Sequence, residues 1–114
     1  MKAVRVISIL LLLVLVLIVG VGSSTAREVG TVRWNYTTGG MVESSPTVVG
    51  NTVYIGNIDG YVYALNASTG ERIWKYKTDD KVFSSPSVVG GVLYIGSVDG
   101  HIYSIDASSG KVEW

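Results

Sequence analysis

The side chains with reactive potential in this chain are few, and most stand where a turn would use them. Asp59 and Asp99 each precede a glycine, giving Asp59-Gly60 and Asp99-Gly100. Asp-Gly tolerates the positive φ angles of a type I′ hairpin turn, so the turn role outweighs metal binding or acid–base work. Asp79-Asp80 could offer paired oxygens to a hard cation, but it reads as a solvated loop between two similar segments. His101 is the only histidine. One histidine makes no multi-histidine metal site, and a hydrolase triad would need serine, histidine and an acid to converge. Gly39-Gly40 reads as a turn, and no phosphate-loop pattern accompanies it. No residue emerges as catalytic, cofactor-binding or metal-binding. Asn35-Tyr36-Thr37 and Asn66-Ala67-Ser68 are acceptor sequons, of which Asn35 is the better candidate because Asn66 serves a turn.

Composition narrows the classes further. The chain contains no cysteine, so disulfides are absent. Lys plus Arg and Asp plus Glu both number nine, and without Lys2 and Arg5 the balance is seven basic against nine acidic. No basic patch is present to hold a phosphate backbone, so nucleic acid is not an expected partner.

The first 26 residues stand apart from the rest. Lys2 and Arg5 precede an apolar run from Val6 to Val21, and small residues follow, ending in Ser24-Thr25-Ala26. This is the layout of a secretory signal peptide, with cleavage before Arg27. An uncleaved anchor is the alternative, since the stretch from Val6 to Ala26 is uncharged and about long enough to span a bilayer. Either way an N-terminal hydrophobic helix is expected, Lys2 and Arg5 stay cytoplasmic, and the remainder is extracytoplasmic: secreted, periplasmic, or held to the cytoplasmic membrane by residues 1–26.

The elements that position the remaining residues repeat with a period of 40. Trp34, Trp74 and Trp114 mark it, as do Ser44-Ser45-Pro46 and Ser84-Ser85-Pro86, and Tyr54-Ile55-Gly56 and Tyr94-Ile95-Gly96. Aligned without gaps, residues 41–74 and 81–114 are identical at 17 of 34 positions. A period near 40 filled with short strands is the mark of a propeller blade or stacked repeat, which needs neighbours to bury its faces. In the first repeat, strands are expected at 46–49, 52–56, 61–66 and 72–76, with turns at Gly50-Asn51, Asp59-Gly60 and Ser68-Thr69-Gly70. The second repeat copies them. Thr31–Tyr36 reads as one extra strand ahead of the first full repeat. Tyr61-Val62-Tyr63-Ala64-Leu65 is apolar on both faces, which suits a sheet covered on both sides rather than a two-sheet sandwich. The fold class is therefore all-β, built of four-stranded antiparallel blades. Residues 27–114 comprise a partial unit 31–40, a repeat 41–80 and an incomplete repeat 81–114. Propellers typically close with about four to eight blades, so two do not make a ring. The chain is then a fragment, one of several assembling chains, or a pair of sheets with apolar outer faces.

The stretch Ala64-Leu65-Asn66-Ala67-Ser68-Thr69-Gly70-Glu71-Arg72-Ile73-Trp74 resembles the tryptophan-docking motif of the pyrroloquinoline-quinone (PQQ)-like propeller repeats, Ala-x-Asp-x-x-Thr-Gly-Lys-x-x-Trp. The stretch Ser104-Ile105-Asp106-Ala107-Ser108-Ser109-Gly110-Lys111-Val112-Glu113-Trp114 is a second copy. Asn66 replaces the aspartate in the first, and Ser104 and Ser109 depart in the second. The residues themselves suggest structural roles. Gly70 and Gly110 permit tight turns, Asp106 or Asn66 bonds the turn backbone, and the Trp34, Trp74 and Trp114 rings pack between sheets. The resemblance implies either of two functions. One is a non-catalytic exported propeller that binds or scaffolds, with a protein partner or further blades and no cofactor. The other is a fragment of a quinone-dependent dehydrogenase, with PQQ and calcium at the ring centre. The vicinal disulfide common in those dehydrogenases has no counterpart here, and none of their ligands maps onto this chain.

Overall fold

The computed structural model describes residues 29–114, so the expectations for residues 1–26 lie outside the described residues. The chain divides into two compact units, Met1–Val32 and Arg33–Trp114. Of the first, only residues 29–32 are described, beginning with a turn at Val29-Gly30.

The second unit holds seven strands: β1 (Thr47–Val49), β2 (Thr52–Gly56), β3 (Tyr61–Asn66), β4 (Arg72–Lys77), β5 (Ser87–Val89), β6 (Val92–Gly96) and β7 (Ile102–Asp106). They form two antiparallel meanders, β1-β2-β3-β4 and β5-β6-β7, with no strand crossing between them. The registers match at an offset of 40. Tyr54 pairs with Ala64 across β2 and β3, and Tyr94 with Ser104 across β6 and β7. The β-branched and aromatic runs suit a pleated surface covered on both sides, and β3 is buried from Val62 to Leu65 without alternation.

The core lies between the two sheets. Tyr54, Val62, Ala64 and Trp74 from the first sheet pack with Val82, Leu93, Ile95, Ile105 and Ala107 from the second repeat. Gly56 sits at its tightest point, where an added Cβ would fall 2.4 Å from the Val82 side chain. Ser44 and Ser84, from the Ser-Ser-Pro elements, brace the same glycine position in each repeat. Ser44 Oγ donates to Gly56 O (2.7 Å) and accepts from Gly56 N (3.0 Å). Ser84 does the same with Gly96, at 2.6 and 3.0 Å.

Two local expectations need correction. Residues 31–38 carry no strand. A strand exists by its ladder, and the registers of β1 to β7 pair these strands with one another. The Asp-Gly turns are not type I′, because among the described residues no non-glycine residue has positive φ. The turn begins one residue earlier, at Asn57 and Ser97, with Gly60 N donating to Asn57 O (3.1 Å) and Gly100 N to Ser97 O (3.2 Å). Asn or Ser at the first position and Gly at the fourth is the type I pattern, and Gly60 takes the left-handed conformation at φ 86. The second repeat is incomplete as expected, its fourth strand represented by one bridge, Ile105 to Val112.

Candidate functional site

Trp34 with Gly70, and Trp74 with Gly110, meet at the contact between consecutive repeats, so that the contact is made twice by the same parts, whereas Trp114 stands exposed outside it. Trp34 Nε1 donates to Ala67 O, and Trp74 Nε1 to Ala107 O, both at 2.9 Å. Each indole lies flat on the turn glycine three residues after that carbonyl. A Cβ at Gly70 would stand 2.6 Å from the Trp34 ring, and one at Gly110 2.6 Å from the Trp74 ring. Gly70 and Gly110 also have φ of 76 and 75, so backbone conformation and close approach both call for glycine. The turn is held from within: Asn66 Oδ1 accepts from Ser68 N (2.9 Å) and Thr69 N (3.0 Å), and Asp106 Oδ1 from Ser108 N (3.1 Å) and Ser109 N (2.8 Å). The Ser108 hydroxyl and the Ser109 amide lower the Asp106 carboxyl to about 2.

Tyr54 completes the contact. Its hydroxyl donates to the same Ala107 carbonyl (3.1 Å), and its ring lies 5.9 Å from that of Trp74. A third tie runs near the first strands, where Ser45 N donates to Ser85 Oγ (2.9 Å) and Thr47 Oγ1 to Pro86 O (2.5 Å). Comparing equal positions in the two repeats shows what the contact covers. Tyr54 is 5% exposed against 37% for Tyr94, and Trp74 8% against 67% for Trp114. On the opposite face, Val82 is fully buried while Val42 is 51% exposed. The second repeat thus presents, uncovered, the face by which the first holds its neighbour.

Asp59 and Asp99 do more than form turns. Asp59 accepts from Tyr61 N within its hairpin and from Gly39 N of the preceding loop, both at 2.9 Å; Asp99 accepts from His101 N (2.8 Å) and Asp79 N (3.0 Å). Tyr63 and Tyr103 donate their hydroxyls to the same carboxylates. Burial works against the Asp99 charge, yet the bonds from Tyr103, His101 N and Asp79 N prevail and hold its carboxyl far below the usual range. The reciprocal effect raises Tyr103 to about 12, through Asp99 first and burial second, while burial and then Asp59 push Tyr63 higher still. These carboxylates are ion anchors for turns.

The other candidates do not come together. Asp80 Oδ1 accepts from the Lys81 amide, and the exposed His101 ring leans on Asp99 at 3.1 Å. Glu43 and Phe83, which occupy equal positions, are both exposed. Among the described residues no three His, Cys, Asp or Glu side chains form a metal-binding group. Asn35 is exposed, whereas the side-chain oxygen of Asn66 is engaged in its turn. A groove of 560 Å³ opens between the sheets beside Tyr54, Val88, Ala107 and Glu113. The roles of Ser44, Asn57 and Tyr54 escape a residue-type reading; Asn57, fully buried, donates to Thr38 Oγ1, Gly40 O and Met41 O. Their recurrence or conservative exchange 40 residues on is the one signal of them in the sequence.

Comparison with known proteins agrees with this geometry. No curated protein sequence matches the chain. Among solved structures it is similar to BamB from Moraxella catarrhalis, at 22% identity and a TM-score of 0.67 over 74% of this chain and 26% of that one. It is similar to a europium-containing methanol dehydrogenase, at 21% identity and a TM-score of 0.66 over 74% of this chain and 18% of that one. It also resembles the quinohemoprotein alcohol dehydrogenase from Comamonas testosteroni, at 30% identity and a TM-score of 0.60 over 66% of this chain and 13% of that one. The chain thus spans about a quarter or less of the structures it matches. The family model described as outer membrane protein assembly factor BamB matches residues 20–114. With its docking contact made twice in a 40-residue register, the chain belongs to this family of PQQ-like repeats.

Proposed function

We propose that this chain is an exported, non-catalytic propeller module that binds or scaffolds protein. In this reading residues 41–80 and 81–114 are two neighbouring blades, completed by further blades, and residues 1–26 direct export as a cleaved signal or an uncleaved anchor. The observation that carries it is the engagement of the acids. Asp59, Asp99 and Asp106 each accept two or more backbone hydrogen bonds that hold turns and loops, a structural use of the acids that supports the scaffold reading. The family description names an assembly factor, which favours protein as the partner. A fragment of a quinone-dependent dehydrogenase is the second reading, favoured by the 30% identity to the Comamonas alcohol dehydrogenase.

Calorimetric titration of the full chain with PQQ in the presence of calcium separates the two. The scaffold reading expects no binding heat, because a central site needs groups converging from several blades. Micromolar binding would favour the dehydrogenase. Export is tested by fusing a periplasm-dependent reporter after Trp114; a stable but inactive fusion would refute it.

A further inference from the structure

Resting on the reading that the chain is exported, we infer that Asn35 is an acceptor for N-linked glycan in the folded protein, and that the fold closes the second sequon at Asn66.

The segment 33–38 alternates with a period of two. Trp34, Tyr36 and Thr38 are half-buried, whereas Arg33, Asn35 and Thr37 are exposed. Alternate side chains of an extended chain point to opposite faces. The inward residues are held in place. Trp34 lies on Gly70 with its N–H on Ala67 O, and the Tyr36 ring meets the Tyr63 ring at 5.7 Å. Asn35 is therefore fixed between two docked aromatics, and it shares the outward face with Thr37. A transferase that reads Asn-x-Ser/Thr needs both groups: the amide that receives the sugar and the hydroxyl two residues on.

The next repeat shows that this outward face is a property of the repeat itself. Forty residues on stand Lys75, Tyr76 and Lys77 of β4. The Tyr76 ring meets that of Tyr103 at 5.6 Å, repeating Tyr36 on Tyr63. Lys75 and Lys77 are exposed even though β4 is paired along β3. Strand pairing thus leaves these two positions open to solvent. The exposure of Asn35 and Thr37 does not depend on whether their own segment is paired.

Asn66 differs at every point. It is half-buried, and its Oδ1 accepts from Ser68 N (2.9 Å), Thr69 N (3.0 Å) and Asn51 Nδ2 (3.3 Å). The Ser68 hydroxyl is spent on Asn51 Oδ1 (2.7 Å), and the carbonyl of Ala67, between them, carries the Trp34 indole. Presenting this sequon to an enzyme would open the turn and undock the tryptophan.

The transfer forms one bond and breaks one. The Asn35 amide nitrogen bonds to the anomeric carbon of an oligosaccharide carried on a polyprenyl diphosphate. The bond from that carbon to the diphosphate oxygen breaks, the lipid diphosphate leaves with the electron pair, and the amide gives one proton to a base of the transferase. Nothing is oxidised or reduced.

The test uses the full chain, folded in mild detergent, with a lipid-linked oligosaccharide and an oligosaccharyltransferase that requires only Asn-x-Ser/Thr. Synthetic peptides spanning 31–40 and 62–70 serve as unfolded acceptors. Enzymatic deglycosylation leaves aspartate at each modified asparagine, and peptide mapping by mass spectrometry then locates it. Both peptides should be modified. In the chain, Asn35 should be modified, and Asn66 at least about tenfold less than in its peptide, because it reacts only through local opening of its turn. Asn35→Gln and Thr37→Val should each abolish the main product, and Thr37→Ser should keep it. An unmodified Asn35 in the chain, equal yields at Asn35 and Asn66, or modification that survives Thr37→Val would overturn the inference. The export reading fails separately, through an inactive reporter in a stable fusion, which this reaction in detergent does not involve.

Discussion

Truncating Trp74 to alanine removes the ring that joins the two repeats. The indole is almost fully covered, lies against Gly110 and the Tyr54 ring, and gives its N–H to Ala107 O. A buried tryptophan covers on the order of 200 Å², which at about 25 cal/mol per Å² amounts to roughly 5 kcal/mol as an upper bound. Measured truncations of buried aromatics cost about 3–5 kcal/mol. The Ala107 carbonyl keeps its bond from Tyr54, so no orphaned acceptor adds to the loss. The expected cost is therefore about 4 kcal/mol, near the middle of the measured range. Trp114→Ala serves as the internal comparison: two-thirds of that residue is already exposed, and its expected cost is about 1 kcal/mol. Urea unfolding of the full chain in mild detergent, followed by near-ultraviolet circular dichroism, reports both midpoints. If Trp74→Ala leaves too little folded protein, Trp74→Phe keeps much of the packing and should fall between. Equal shifts for Trp74→Ala and Trp114→Ala, or an unchanged midpoint for Trp74→Ala, would refute the docking argument.

Gly110→Ala should destabilise far more than Gly90→Ala in the same unfolding assay. Both glycines have positive φ, but only the new methyl at 110 strikes an indole ring, whereas nothing lies within 4 Å at 90. Ser104→Ala should stabilise by about 1–2 kcal/mol, because Ser104 Oγ is buried without a hydrogen-bond partner among the described residues and the first repeat has Ala64 there. Stability should fall with acid in a defined window. Asp99 and Asp106 have carboxyls below the ordinary value, so their contribution is complete above about pH 4 and drains away toward pH 2 and below. Asp106→Asn should lower the midpoint at pH 6 and flatten part of that slope, and an unchanged slope would show that the carboxylate is not engaged.

The legible part of this molecule was the part in which a residue's own chemistry decides its conformation. Thr52–Gly56 and Tyr61–Asn66 are strands because β-branched and aromatic runs end in turn residues, and the Trp-to-Gly spacing shows through the 40-residue repeat. What stayed hidden depends on distant partners. Thr31–Tyr36 has strand-like composition yet carries no strand. The Asp59-Gly60 pair fits type I′ by composition, but Asn57 is the turn's first residue and Gly60 its single left-handed position. The second role of Asp59, its bond from Gly39, joins residues 20 apart, and no local pattern announces it. For the candidate site, the sequence indicated which residues mattered, but the identity of the contact, ring of one repeat on turn of the next, required the fold.

The central claim is that Trp34 and Trp74 each dock on the turn of the repeat that follows. Hydrogen exchange of the three indole N–H groups, resolved by nuclear magnetic resonance on the full chain in detergent, tests it most directly. Trp74 should exchange slowest, since its N–H is buried on Ala107 O, and Trp34 should be slowed by its bond to Ala67 O. Trp114, largely exposed, should exchange near the rate of a free indole. The Gly70 and Gly110 α-protons should be shifted by the rings above them. Three indoles exchanging alike at the free rate, with unshifted glycines, would contradict the account.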